Sequence, residues 1–105
     1  MEKQRIIEIF ECIKNNIIKD TRYYSTGICF GLAVLLTAKE ITQFEYYFLL
    51  DYLRDNKPTP INQYKEFTQN EYWINISYWW VNMGKQPETR QIRVDYLTAL
   101  INNIK

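Results

Sequence analysis

A chain of 105 residues with 47% hydrophobic and 16% aromatic side chains makes one domain, 1–105, whose core needs neither disulfides nor metal. Its 13 basic and 12 acidic residues leave a formal net charge of +1. No segment is strongly polarised, which excludes a general nucleic-acid binder and a membrane-surface helix. Histidine is absent and there are two cysteines, so Ser-His and Cys-His catalysis and a zinc site are excluded as well.

Residues 3–19 have the period of an amphipathic helix. Ile6, Ile9, Phe10, Ile13 and Ile17 recur at three- and four-residue spacing and form one apolar stripe, with Glu8, Glu11 and Asn15 opposite. The N-terminus reads Met-Glu-Lys-Gln-Arg and then amphipathic, not continuously apolar, so no signal peptide is expected. Ser25 or Thr26 offers a cap for a second helix over 27–39, apolar all round and so expected to be central and buried. Its apolar run, Ile28 to Leu36, is too short for the roughly 20 residues of a membrane span. Gly27 and Gly31, four apart, make a small-residue groove for a neighbouring helix. Cys12 and Cys29 sit in apolar helical contexts and are expected as reduced, structural thiols, consistent with a cytoplasmic protein.

Thr42-Gln43-Phe44-Glu45 is a capping box, with Ile41 and Tyr46 placed for a hydrophobic staple. The third helix runs to about Asp55. Asn56 suits a left-handed position beyond it and Pro58 forbids continuation. Tyr46, Leu49, Leu50 and Leu53 form an aliphatic face, while Phe44, Phe48 and Tyr52 lie roughly opposite, mixed with Asp51 and Asp55. The second non-polar side must be covered by residues 59–83 or by another chain. Residues 57–60, Lys-Pro-Thr-Pro, are the one candidate hinge.

All three tryptophans fall within the run Tyr72-Trp73-Ile74-Asn75-Ile76-Ser77-Tyr78-Trp79-Trp80-Val81. The run alternates as a strand does, yet Trp73, Ile76, Trp80 and Met83 also fit helical spacing. A packed irregular segment with short helical or extended pieces is expected there. Gly84 ends it, and Pro87 opens a last helix with Glu88 in its first turn. Tyr96, Leu97, Leu100, Ile101 and Ile104 form that helix's apolar face. The expected architecture is therefore mainly α: about four helices, with an aromatic-rich segment between the third and the last.

At 100° per residue, Arg93 falls in the middle of the last helix's apolar stripe and Arg90 at its edge. An arginine aimed at a core must be paired or face a cavity. One reading is architectural: an ion pair with Asp51, Asp55, Glu66 or Glu71, or stacking on a tryptophan. The other is a contact for an anion or nucleotide, with guanidiniums near a helix start beside aromatic planes. The aromatic run divides in the same way, between core or subunit contact and an interface or base-stacking platform. Arg90, Arg93, Trp73, Tyr78, Trp79 and Trp80 are thus the candidate ligand- or partner-binding residues. Asp51 and Asp55 share a helical face, a spacing that is more often solvated surface than cation site. No Gly-rich phosphate loop follows from Gly27 and Gly31. No catalytic residue, cofactor or metal is expected.

The order of features resembles a loose group of uncharacterised small proteins of tailed bacteriophages. The resemblance runs over about 23–104, through Gly27-Ile28-Cys29, Glu45 on a capped helix, Asn56-Lys57-Pro58, Trp79-Trp80, and Arg93-Val94-Asp95-Tyr96-Leu97-Thr98-Ala99-Leu100-Ile101. It implies a phage or mobile-element origin and no assigned activity. The function expected is non-catalytic binding of a host or viral protein in the host cytoplasm, with self-association into a homo-oligomer. The alternative is a protein that sequesters nucleotides or cyclic oligonucleotides against host defence, Arg90 and Arg93 lining the pocket with Trp and Tyr.

Overall fold

The computed structural model describes residues 1–19, 28–56 and 87–105. Helix α1, Lys3–Ile18, buries Ile6, Ile9, Phe10, Ile13 and Ile17, the five residues of the sequence stripe. Its ends contribute little. Glu2 at the N-cap makes no side-chain cap hydrogen bond, and neither end turn carries a charge that offsets the helix dipole. The helix is held by its buried face, where each fully covered Ile or Phe is worth about 1.5–3 kcal/mol.

Helix α2 spans Ile28–Thr37. Ile28, Leu32 and Leu35 are buried, as is Gly31, but Ala33, Val34 and Leu36 are only half-buried and Thr37 is exposed. Among the described side chains of α2, full burial is confined to one side, where the expectation was burial all round. Ala33, Val34, Thr37 and Ala38 line an open depression of about 300 Å³. An apolar composition permits full burial, but the extent of burial is set by how many neighbours reach the helix. The caps Ser25 and Thr26, and Gly27, lie outside the described residues.

The turn that follows has a signature the sequence does not advertise. The Lys39 N–H donates to the Leu36 carbonyl (3.0 Å) and the Glu40 N–H to the Leu35 carbonyl (2.9 Å), the paired bonds of a Schellman motif. Lys39 occupies its left-handed position, with φ of 61°. Glycine is the usual residue there because a Cβ crowds the following carbonyl. Lys39→Gly should therefore stabilise the protein by about 0.5–1 kcal/mol. A thermal melt followed by circular dichroism checks this, and a lower melting temperature would contradict the assignment.

Helix α3, Gln43–Asp55, begins at a complete capping box. The Glu45 N–H donates to Thr42 Oγ1 at 3.1 Å, and the Thr42 N–H donates to Glu45 Oε1 at 2.8 Å. Leu49 and Leu53 are its buried pair, Ile41 enters the core just before the cap, and Tyr46 packs against that core. Asn56 corrects the expected left-handed ending: its φ is −123° and ψ 44°. Its backbone N–H donates to the Tyr52 carbonyl at 2.9 Å, and its side-chain Nδ2 donates to the same oxygen at 3.0 Å.

Helix α4, Pro87–Ile104, starts at the expected proline. Tyr96, Leu97, Leu100, Ile101 and Ile104 are all buried. Among the described helices the dominant packing is α1 along α4; α2 packs on α3 and touches α1. One core cluster draws on all four described helices, so the fold is a mainly α single domain. Among the described residues no helix is long and apolar enough to cross a membrane. Cys12 and Cys29 are half-buried and not joined in a disulfide. The candidate hinge at 57–60 and the aromatic segment lie outside the described residues.

Candidate functional site

Arg93 lies where the helical wheel puts it, in line with Leu97 and Leu100 on the packed face of α4. It is 0% exposed and is the one charged side chain in the core among the described residues. It is engaged there by polar or electrostatic interaction, as a buried guanidinium must be. Arg90 belongs to the first turns of α4, but its side chain is not among those described. Trp73, Tyr78, Trp79 and Trp80, and the candidate partners Glu66 and Glu71, lie outside the described residues.

Asp51 and Asp55 have a partner of their own. Their side chains are 66% and 60% exposed, and Arg54 sits between them, 3.3 Å from Asp51 Oδ1 and 3.0 Å from Asp55 Oδ1. This is a surface ion cluster, which adds little to stability. Among the described residues no group of three or more His, Cys, Asp or Glu is placed to hold a metal ion.

The described surface is most distinctive on α3. Phe44 is 68% exposed and Tyr47 57%. Phe44 is the outer end of a row of rings on successive turns. The centroids are 6.1 Å apart from Phe44 to Phe48, 6.3 Å from Phe48 to a stacked Tyr52, and 6.2 Å from Tyr52 to Phe10 in the core. Spacings of this size are those of favourable aromatic pairs. Tyr47 meets Tyr46 edge-on at 5.2 Å. Burial pushes the Tyr46 and Tyr52 phenols above their ordinary pKa, so they remain neutral. The sequence placed Phe44, Phe48 and Tyr52 on one side of the helix but gave no sign of Tyr47's exposure.

The start of α3 is fixed by a residue that sequence reasoning missed. Arg5 of α1 reaches it from 40 positions upstream. Its Nε donates to Glu45 Oε2 at 2.7 Å, and its Nη2 donates to Glu45 Oε1 at 3.2 Å and to the Glu40 carbonyl at 3.3 Å. One carboxylate thus closes the capping box and forms a bidentate pair with a neighbouring helix. Met1, Glu2, Arg5, Thr42, Phe44 and Glu45 line an open groove of about 430 Å³ beside the exposed ring. Nothing in the local sequence pairs Arg5 with Glu45; only the packing of α1 against the α2–α3 turn does so.

The Arg5 hydrogen bond, aided by the Thr42 N–H and opposed by burial, holds the Glu45 carboxyl down to about 2 from its ordinary 4.5. A carboxyl that is more acidic in the folded state stabilises the fold above its unfolded pKa. That contribution is lost as pH falls from about 4.5 towards 2. Glu45→Gln should therefore destabilise by about 1–2 kcal/mol at pH 7, discounted for the half-open setting of Arg5. The gap between wild type and variant should close between pH 4.5 and 2. Urea titrations at a series of pH values test this, and a pH-independent gap would contradict it.

In comparisons with known proteins, no family model, curated protein or solved structure matches the chain.

Proposed function

We propose that the chain is a non-catalytic binding protein, a phage-type accessory protein of the host cytoplasm, and that it engages another protein chain through the aromatic face of α3. The observation that carries this reading is Phe44, 68% exposed on a helix whose first turn is fixed by a complete capping box and a bidentate arginine. A large ring on a pre-ordered helix loses little entropy on association, and interface anchors are of this kind. Trp73, Tyr78, Trp79, Trp80 and Arg90 are the further residues proposed to contribute to the contact. The phage-type origin rests on the resemblance carried by Gly27-Ile28-Cys29, Glu45, Asn56-Lys57-Pro58 and the Arg93–Ile101 ending. Full burial of Arg93 supports an architectural role for that residue and favours protein binding over capture of a nucleotide.

The test pairs affinity capture from a host lysate with measurement of solution mass, for wild type and Phe44→Lys. Phe44 is mostly solvent-exposed, so the variant should fold normally, as circular dichroism will confirm. The expected result is association by the wild type, with another protein or with itself, weakened at least tenfold in Phe44→Lys. A strict monomer that retains nothing, or association indifferent to the substitution, overturns the reading.

A further inference from the structure

We propose that the chain seated on this face is a second copy of the same protein, with α3 packed antiparallel against α3 across a twofold axis. The proposal rests on the binding reading above and names the partner of that surface. Phe44, Tyr47, Asp51 and Arg54 are all exposed. They follow one another at spacings of three, four and three residues, the seam spacing of paired helices. A twofold axis level with Leu49 sets Phe44 against the partner's Arg54 and Tyr47 against the partner's Asp51, and each pair occurs twice.

Both pairs are chemically complementary. The Tyr47 hydroxyl donates to the Asp51 carboxylate. The face of the Arg54 guanidinium covers the Phe44 ring while its edge keeps Asp51 and Asp55, which it already holds at 3.3 and 3.0 Å. Parallel pairing of the same seam would oppose Asp51 to Asp51 and Arg54 to Arg54, so charge selects the antiparallel arrangement. The two helix dipoles also oppose favourably in that arrangement. A helix of 13 residues is about 20 Å long, and a contact of that length lies at the small end of specific interfaces. The dimer is therefore a weak, exchanging one, with Kd on the order of 10–100 µM.

Sedimentation of the full chain from about 5 to 500 µM, a range chosen to bracket that affinity, tests the proposal. The weight-average mass of the wild type should rise from the monomer's 12.8 kDa towards twice that value. Phe44→Lys should remain monomeric, since the ammonium it introduces would oppose the partner's Arg54. Adding Arg54→Glu to that variant should restore the dimer, because opposite charges then face each other at both ends of the seam. A wild type that is monomeric throughout overturns the proposal, as does a dimer untouched by Phe44→Lys or one the double variant fails to restore. If the wild type is monomeric but Phe44→Lys loses a captured lysate protein, self-pairing falls and the binding reading stands. If that capture is also indifferent to the substitution, both fall.

Discussion

Replacing Arg93 with alanine should lower the stability of the protein by about 3–5 kcal/mol. Its side chain is fully buried and heads the largest such side chains in the core. Truncation therefore opens a cavity at the centre of the α4 face and also strands whatever polar groups engage the guanidinium. Those two losses are separable. Arg93→Met keeps most of the volume and removes only the charge, so it should cost distinctly less than alanine. Urea unfolding followed by circular dichroism gives both values. A loss below about 1 kcal/mol for the alanine variant, in the range of ordinary surface changes, would mean that Arg93 is dispensable to the fold and would return it to the list of contact residues. The same variant bears on nucleotide capture. A ligand bound to the native state must raise the melting temperature, and with Arg93 committed to the core no such rise is expected in wild type with millimolar nucleotides.

Phe10→Ala should be comparably damaging, again about 3–5 kcal/mol. Phe10 is 0% exposed and stands where α1 meets the rest of the core. It fills space in the common cluster and closes the aromatic row at 6.2 Å from Tyr52. Its loss removes the packing on which Tyr52, and through it Phe48, rests. Phe10→Leu should cost a fraction of that amount, because the leucine still occupies much of the site. Tyr47→Ala, at a 57% exposed position, should change stability by no more than about 0.5 kcal/mol. A Phe10→Ala variant as stable as Tyr47→Ala would show that the core is not organised around α1.

What could be read from the sequence was what local rules determine. The isoleucine spacing of α1, the Thr42–Glu45 box and the proline at the head of α4 each act within a turn or two of helix, and each stands where expected. Arg93 was legible for a related reason: a charge out of phase with an apolar period is conspicuous whatever its partner. The missed features depend on the fold. Arg5 meets Glu45 across 40 residues, a separation over which no periodicity operates. Lys39 holds a left-handed turn without glycine or asparagine to announce it. Asn56 has the residue type for that conformation but takes φ of −123°, with backbone and side-chain N–H both on the Tyr52 carbonyl. For α2, composition stated what could be buried and not what is. The run from Tyr72 to Val81 satisfied two periods at once, so the sequence left its conformation open.

The pairing of α1 with α4 also imposes an order on the birth of the molecule. Residues 3–18 leave the ribosome well before residues 87–104, and at about 5–20 residues per second the interval is several seconds. During that time the stripe of Ile6, Ile9, Phe10, Ile13 and Ile17 has no α4 to cover it. Five large apolar side chains on one side of a nascent segment are prone to non-native association while they stay exposed. The α1–α4 contact can therefore close only once residues 87–104 have left the ribosome, and until then the early stripe lacks its main partner.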